Sequence, residues 1–394
     1  MNNQTRGISE ETSSTGKLHW METVYSNLHN KVLGECQVNM LRALIDEVGP
    51  SQALEAVKPA NIFGGKMIAG MVRQKMGIQG NDVVSVAMPY YVAHYGTSRG
   101  NIKPMEVRDG KAIVELYACP GVPAGGPAEM CIAVSHYLAM GMCEAVNPDY
   151  EFVFTHHLLN GDNCCRYVVK KKSDKFSLGN PGRLEKTIPL ELPPSELDMW
   201  VEFEEAGQLG LATYACLELI GSQRILEITA PAHRNTGLRA GAMIKKEAGG
   251  RSDLSTLRDG VDLLCRSVHE TTSSAKITDS GIEKEIDCPF KSYFPANLNS
   301  VPIPEMCMQF EEVLKGVCES INPDYEFAFD RMMSKGDSTC HWVVKKKAEP
   351  SNQKPKEEAL SHDPFKRLTN RFIDGEITEE EYEKKLTILK KHVN

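Results

Sequence analysis

Residues 147–152 read Asn-Pro-Asp-Tyr-Glu-Phe, and residues 322–327 repeat the same six residues. Each copy continues into Gly-Asp-x-x-Cys and then Val-Val-Lys-Lys-Lys, which ends at Lys172 in the first copy and at Lys347 in the second. The offset between the copies is 175 residues throughout this stretch. A solenoid repeats every 20 to 50 residues or so, whereas this period is that of a whole domain. The sequence therefore predicts a duplicated domain.

The repeat also predicts the order of secondary structure in each copy. Two or three helices come first, over about Leu18–Tyr95 and Glu196–Glu270. A β-hairpin follows in the first copy, because Asp109-Gly110 lies between two strand-like runs. A helix then ends at Asn-Pro-Asp, and a second hairpin with alternating aromatic residues comes next. The predicted fold class is α+β, a tandem duplicated domain in which each copy packs helices on an antiparallel sheet.

These patterns divide the chain into six segments. Pro, Ser, Lys and Glu dominate two of them, as is typical of flexible connectors. In order, the segments are a disordered N-terminus (1–17), the first copy (18–172), a linker (173–194), the second copy (195–347), a linker (348–362) and a C-terminal helical hairpin (363–394).

Composition limits the class of protein. The chain has 394 residues, of which 41% are hydrophobic and 25% are charged, as in ordinary globular proteins. Its net charge of -8 argues against a general nucleic-acid binder, which needs a basic surface. Neither a secretory signal nor an apolar stretch long enough to span a bilayer is apparent, so we expect no membrane partner. The 12 cysteines are therefore predicted to be reduced thiols or metal ligands in a cytoplasmic protein.

The cysteines fall into two groups. Cysteine is among the most buried residue types, so those at core spacing on the helix after the first hairpin are predicted to pack in the core. This group consists of Cys131, Cys143, Cys307 and Cys318. Cys119 and Cys165 differ, because the first ends a predicted strand beside a proline and the second begins a strand after Gly-Asp. These two are the candidates for chemistry.

A zinc site is one hypothesis for the first copy. If its two hairpins pack side by side, Cys119 and Cys165 converge. His157 lies eight residues before Cys165, close to the cross-strand position. Two thiolates and an imidazole suit Zn²⁺ and leave a position for water. No Cys-x-x-Cys pair accompanies them, and the alternative is thiols without a metal.

The second copy keeps only part of this set. Cys288, Cys340 and His341 are its weaker candidate ligands. Arg331 and Met332 occupy the positions of the two adjacent histidines of the first copy. We therefore expect any metal in the first copy.

The Gly-Asp-x-x-Cys motif suggests a second chemistry. Asp162 is a candidate base beside Cys165 as the nucleophile, and His156 and Glu151 are further catalytic candidates. The alternative is a tight turn, in which glycine supplies a positive φ and the aspartate caps its own backbone. For Glu151, a solvated position on the strand is the commoner outcome.

The motifs of both copies resemble those of a known protein family. The order of Cys-Pro, a Cys-containing helix, Glu-Phe, and Gly-Asp-x-x-Cys followed by Tyr167 or Trp342 resembles the L-2-amino-thiazoline-4-carboxylic acid hydrolase-like family. It is more distantly similar to 4-vinyl reductase domains, some of which hold zinc through Cys and acidic ligands. The resemblance covers about Leu41–Lys172 and Leu211–Lys347. It implies a pocket between helices and sheet, and hydrolysis of a cyclic C–N or C–S bond in a small heterocycle. The alternative is a non-catalytic small-molecule-binding or assembly protein.

The C-terminal segment has its own signals. Asp363 precedes a proline at a predicted helix start, and Thr378 with Glu381 forms a capping box for a second helix. Residues 375–382 read Gly-Glu-Ile-Thr-Glu-Glu-Glu-Tyr and resemble the short C-terminal domain family called SHOCT. That resemblance implies a homo-oligomer or docking of a protein partner. The alternative is a hairpin that packs on its own chain.

Overall fold

A computed structural model describes most of the two sequence copies. The described residues are 28, 31–32, 34–98, 100–119, 121–175, 182–192, 209–210, 212–268, 275–278, 281–286 and 303–347. The predicted N-terminal segment, the linker 348–362, the C-terminal hairpin and Cys288 lie outside these residues. Among the described helices, none is both long enough and apolar enough to cross a membrane.

The first copy begins with three helices. Pro50 occupies the first turn of the second helix, where its missing N–H is not needed, and Gly77 ends that helix in the left-handed conformation. Asp82 caps the third helix by accepting a hydrogen bond from the Ser85 N–H at 2.8 Å. The helices are α1 (residues 34–48), α2 (Pro50–Met76) and α3 (Val83–Thr97).

A five-stranded antiparallel sheet completes the first copy. The predicted turn joins the first two strands, with positive φ at both Asp109 (44°) and Gly110 (69°). The strands are β1 (Met105–Arg108), β2 (Lys111–Leu116), β3 (Tyr150–His156), β4 (Cys165–Lys171) and β5 (Leu184–Ile188). Their order in the sheet is β3-β4-β2-β1-β5. Between β2 and β3 lie a π-helical segment (Cys131–His136) and helix α4 (Tyr137–Val146).

Strand β5 lies within the segment predicted to be a linker. It pairs with β1, from Met105 opposite Ile188 to Arg108 opposite Leu184. Its residues are mostly exposed, so it lacks the alternation of buried and polar residues by which a strand is recognised. The strand exists because β1 offers it an unpaired edge, which residues 184–188 alone do not reveal.

The second copy has the same order of elements over its described residues. Helices α5 (residues 212–220), α6 (Ser222–Glu247) and α7 (Leu254–Val268) precede strands β6 (Lys276–Thr278) and β7 (Gly281–Ile286). Helix α8 (Ile303–Ile321) and strands β8 (Tyr325–Arg331) and β9 (Cys340–Lys346) follow. The sheet order is β6-β7-β9-β8, with all pairs antiparallel. Mixed helices and antiparallel sheets confirm the α+β class.

A glycine contact between two helices occurs in both copies. A side chain at Gly65 in α2 would overlap the Leu138 carbonyl oxygen in α4, and one at Gly237 in α6 would overlap the Val313 carbonyl oxygen in α8. Only hydrogen at these glycines lets the two backbones meet. The helix that follows the first hairpin is therefore pressed against a long preceding helix in each copy.

The two copies share one hydrophobic cluster. Val38 and Leu44 from α1 belong to it together with Ile225 and Ile244 from α6, and all four side chains are buried. Arg239 of α6 lies 2.5 Å from Glu35 of α1 at the edge of this contact. Helix α1 therefore packs against the second copy as well as its own.

Substitution at the glycine contact tests its role. Gly65→Ala is expected to lower the free energy of unfolding by about 1–3 kcal/mol, because the new methyl group overlaps backbone atoms that cannot move aside. Gly70→Ala in the same helix is the matched control, since Gly70 has no atom within 4 Å of the added carbon. That control should gain up to about 1 kcal/mol from helix propensity. Chemical denaturation measures both, and equal effects of the two substitutions would contradict the contact.

Candidate functional site

A pocket in the first copy lies between helix α3, the π-helical segment and the face of the sheet. It encloses about 560 Å³, counting the solvent at its mouth. Its wall includes three cysteines, an imidazole, a phenol and a thioether, which belong to Cys119, Cys131, Cys165, His94, Tyr167 and Met130. Cys119 and Cys165, the two candidates from the sequence, therefore face one pocket. Cys131 was expected in the core, and its burial is confirmed, but it also lines the pocket wall.

Strand β4 positions two of these groups. Cys165 begins β4 opposite Leu116, and Tyr167 follows two residues later on the same face. The Cys165 Sγ accepts a hydrogen bond from the Leu158 N–H at 3.3 Å. The 3₁₀ turn at Leu158–Asn160 supplies this donor, so the turn and the thiol are fixed together.

The π-helical segment positions Cys131. Its bonding pattern appears where the Tyr137 N–H donates to the Ile132 carbonyl, five residues earlier. A π-helical turn holds more residues than an α-helical one, which changes the directions of its side chains, and such turns are frequent at functional sites. The sequence predicted a regular helix here, so the direction of Cys131 could not be read from α-helical spacing.

Burial keeps the pocket thiols protonated. It raises the pKa of Cys131 to about 12, and the nearby Cys165 and Cys119 add to the effect. Burial also raises the pKa of Cys165, although the Leu158 N–H and the Tyr167 hydroxyl oppose that shift. Both thiols are therefore neutral near pH 7; a backbone N–H opposes the shift at Cys131, whereas a backbone N–H and the Tyr167 hydroxyl oppose it at Cys165.

His94 is a pocket residue that the sequence analysis did not select. Its Nδ1 lies 3.2 Å from the Tyr90 carbonyl oxygen, which can only accept, so Nδ1 carries the proton and Nε2 the lone pair. Burial lowers the pKa of His94 to about 3, and its ring stacks on Tyr90 at 3.7 Å between centroids. Tyr90 and His94 are four residues apart in α3, so they lie on the same face of the helix. This spacing is the feature of the sequence from which their contact could have been predicted.

The predicted catalytic carboxylates have structural partners. The Asp162 Oδ2 accepts a hydrogen bond from the His157 N–H at 2.7 Å, and Gly161 has a φ of 89°. This is the tight turn that was the alternative for Gly-Asp-x-x-Cys. Glu151 pairs with Lys170 at 2.5 Å across the β3–β4 ladder. Neither carboxylate lines the pocket.

The two adjacent histidines also lie outside the pocket wall. The His156 Nδ1 is 3.0 Å from the Thr155 hydroxyl. The His157 ring stacks on Phe154 at 5.1 Å, and its buried Nδ1 has no hydrogen-bond partner. Burial lowers the pKa of His157, with nearby Asp162 opposing the shift. His136, which the sequence analysis did not select, contacts the same Phe154 ring at 5.7 Å.

The predicted zinc ligands do not form a recognisable metal centre in the described part of the chain. Across those residues no three Cys, His, Asp or Glu side chains are grouped so that they could hold a metal ion. In the second copy, the Cys340 Sγ accepts from the Met333 N–H at 3.3 Å, and the His341 Nδ1 lies 3.0 Å from Asp330. The described positions of these side chains do not fit a zinc site. Zinc binding is therefore a prediction from the sequence alone.

Comparison with protein-family models, with curated proteins and with solved structures finds no match to this chain. The resemblance to the hydrolase-like family therefore rests on the short motifs alone.

Alkylation as a function of pH tests the protonation of the pocket thiols. Near pH 7, iodoacetamide should modify Cys131 and Cys165 much more slowly in the folded chain than in the denatured chain, where thiols have a pKa of about 8.5. The rates in the folded chain should rise with pH because only the thiolate reacts. Peptide mass spectrometry resolves each cysteine. Equal rates in folded and denatured chains at neutral pH would show that burial does not protect these thiols.

Proposed function

We propose that the chain is a tandem duplication of one α+β domain, over residues 18–172 and 195–347. Matched contacts at equivalent positions support this proposal. The Asn147 amide donates to the Asn81 carbonyl at 2.9 Å, and the Asn322 amide donates to the Ser252 carbonyl at 2.7 Å. Cys165 and Cys340 accept backbone N–H groups at the same distance of 3.3 Å. Chance similarity of short motifs would not reproduce these matched contacts, of which the asparagine pair joins residues 66 and 70 positions apart.

We further propose that the first copy is a hydrolase for a small heterocyclic substrate with a cyclic C–N or C–S bond. The observation that carries this proposal is the meeting of Cys119, Cys131 and Cys165 with His94 in one pocket. A thiol nucleophile with an imidazole nearby is an arrangement that supports covalent hydrolysis. Cys165 is the proposed nucleophile, because the Leu158 N–H and the Tyr167 hydroxyl favour its thiolate.

The protonation states decide how such a reaction begins. Moving a proton from a thiol with a pKa of about 12, as at Cys131, to an imidazole with a pKa of about 3, as at His94, costs on the order of 10 kcal/mol before charge attraction. The pocket alone therefore does not hold a pair of Cys131 thiolate and His94 imidazolium, and the raised pKa of Cys165 disfavours the same pair with Cys165. A substrate with a basic ring nitrogen removes this obstacle, because it can take the thiol proton itself.

The proposed step is addition of the Cys165 S–H across a C=N bond of the substrate. Sulfur bonds to the carbon while the proton passes to the nitrogen of the same bond. The tetrahedral carbon then expels the ring sulfur or ring nitrogen, which takes up a proton from a nitrogen still bound to that carbon while the lone pair of this nitrogen re-forms a C=N bond. Water adds to the same carbon, the Cys165 sulfur leaves as the thiol, and a C=O bond forms. In this scheme His94, with its lone pair on Nε2, orients that water by accepting a hydrogen bond from it, and the water proton passes to the departing Cys165 sulfur. Zinc has no part in these steps.

A second candidate function is small-molecule binding without turnover. The observation that favours it is the raised pKa of both Cys131 and Cys165 in the pocket, which leaves neutral thiols as soft, weakly polar contacts.

Hydrolysis of 2-amino-thiazoline-4-carboxylate tests the two candidates. The full chain should convert it to a product that has gained one water, detected by mass spectrometry. Cys165→Ser should lower kcat/KM by at least about 100-fold, because serine is a far weaker nucleophile without a nearby base. Cys340→Ser is the matched control, since its sulfur has the same backbone donor in the second copy, and it should retain activity.

The outcomes separate the two candidates. Binding of the probe by calorimetry without any hydrolysis favours the non-catalytic function. Equal activity loss in both variants assigns the effect to folding and contradicts Cys165 as the nucleophile. If the chain neither binds nor hydrolyses the probe, both candidates are refuted for this substrate class.

We also propose that the C-terminal segment 363–394 docks a second copy of the chain or a protein partner. The stretch from Gly375 to Tyr382 supports this, through its resemblance to the SHOCT family. Removal of residues 363–394 should lower the mass of the assembly measured by light scattering, while the hydrolysis described above is retained. An unchanged mass would show that this segment does not mediate association between copies of the chain.

A further inference from the structure

The helical segment that follows the first hairpin has one more residue in the first copy than in the second. Two positions mark the difference in each copy: a cysteine near the start of the segment, and the glycine at which α4 or α8 meets the backbone of a long helix. Cys131 and Gly141 are ten positions apart, whereas Cys307 and Gly316 are nine positions apart. The first copy therefore has one extra residue between these two positions.

The glycine end of the segment is held in the same way in both copies. A side chain at Gly141 would overlap the Ile62 carbonyl oxygen of α2, and a side chain at Gly316 would overlap the Arg234 carbonyl oxygen of α6. Backbone atoms of a packed helix cannot move aside, so neither α4 nor α8 can rotate or slide at this point. The extra residue is therefore not accommodated at the glycine end.

The cysteine end of the segment is also equivalent in the two copies. Burial raises the pKa of both Cys131 and Cys307, and the nearby Cys165 and Cys340, respectively, add to the shift. Cys165 begins β4 and Cys340 begins β9, so the start of the segment lies beside the start of the corresponding strand in each copy. Both ends of the segment thus keep their places despite the difference in length.

A regular α-helix could not keep both ends in place in the first copy. One extra residue would turn everything on one side of it by about 100° about the helix axis and move it by about 1.5 Å along that axis. The second copy is α-helical throughout Ile303–Ile321, whereas the first copy has the π-helical segment Cys131–His136 between the two positions. A π turn holds more residues than an α turn, so it takes up the extra one.

The same π-helical segment supplies one side of the pocket. Met130, Cys131, Val134 and Ser135 all line it. Met130 and Ser135 are five positions apart, which is the interval of π-helical hydrogen bonds. In an α-helix, residues five positions apart point about 140° away from each other. The π turn therefore lets these residues form one wall.

We propose that this one-residue insertion forms the part of the pocket wall that Val134 and Ser135 supply, and thereby determines which ligand the first copy binds. The inference rests on the proposed function, in which this pocket binds or hydrolyses a small heterocycle. Because Cys131 keeps its place beside Cys165, the insertion reshapes the wall without displacing the thiols. The second copy keeps the corresponding thiols but lacks the extra residue, so it cannot form the same wall.

Hydrogen exchange of the full chain tests whether the insertion makes the π turn. After correction for intrinsic rates, the amides of residues 132–137 should exchange at least about tenfold faster than those of residues 308–312, because a π turn is less favourable than an α turn and opens more readily. Peptide mass spectrometry measures both segments in one sample. Equal exchange of the two segments overturns the proposal, and this comparison needs no variant.

Deletion of Val134 gives the first copy the segment length of the second. It should slow the exchange of the segment to the level of residues 308–312, because an α-helix then satisfies both ends. Val134→Ala is the matched control, since it shortens the same side chain but keeps the length, and it should retain the fast exchange. Fast exchange that survives the deletion in a folded chain overturns the proposal. If deletion of Val134 prevents folding, deletion of Ser135 gives the same length.

Ligand measurements connect the insertion with the pocket. The probe is 2-amino-thiazoline-4-carboxylate, with binding measured by calorimetry and kcat/KM by mass spectrometry. The deletion should reduce affinity or kcat/KM at least about tenfold more than Val134→Ala does, because it shifts the wall and does not merely trim one side chain. Equal effects of the two variants overturn the proposal and leave the proposed function intact. Failure of the unmodified chain to bind the probe refutes the proposed function instead, and with it the role of the insertion in binding this substrate class.

Discussion

The close contact between the long helix and the helix after the first hairpin is the constraint on which the rest of the structure depends. At Gly65 and Gly237 the backbones of two helices meet without an intervening side chain. Glycines on the partner helices, Gly141 and Gly316, meet the opposite backbone in the same way. This contact fixes how closely α4 approaches α2 and how closely α8 approaches α6. In the first copy it also positions the π-helical segment that leads into α4 and carries Cys131.

The two copies have the same helix–helix contacts but different buried side chains. In the first copy, the inward groups are mainly thiols and aromatic rings, with His94 as a buried neutral imidazole. In the second copy, Trp342 occupies the position of Tyr167, and Gln309 of α8 adds a buried amide. The buried pair of Lys284 and Asp262 adds charge to that interior. The two interiors therefore differ in polarity although their backbone contacts match.

Local sequence patterns predicted much of the fold because they depend on neighbours along the chain. Asp109-Gly110 predicted the first hairpin, since only residues that tolerate positive φ form its turn. The alternation of Phe152 and Phe154 with Tyr167 and Val169 predicted the buried face of the second hairpin; Phe154 is half-buried and the other three are buried. Strand β5 could not be predicted in this way. Its residues have no buried periodicity, and its partner β1 lies far from it in the sequence.

By itself, the sequence determined the repeat, the order of helices and strands, and Cys119 and Cys165 as the cysteines to consider. Spacing along a hairpin also suggested His157 as the imidazole for these thiols, because cross-strand neighbours can be counted. Only the tertiary structure brought His94 to the pocket, since the packing of α3 on the sheet has no signature in residue spacing. The tertiary structure also showed that Cys131, which was predicted to pack in the core, lines that pocket. The reason is physical: a π-helical turn and a contact between distant elements depend on how the whole domain packs.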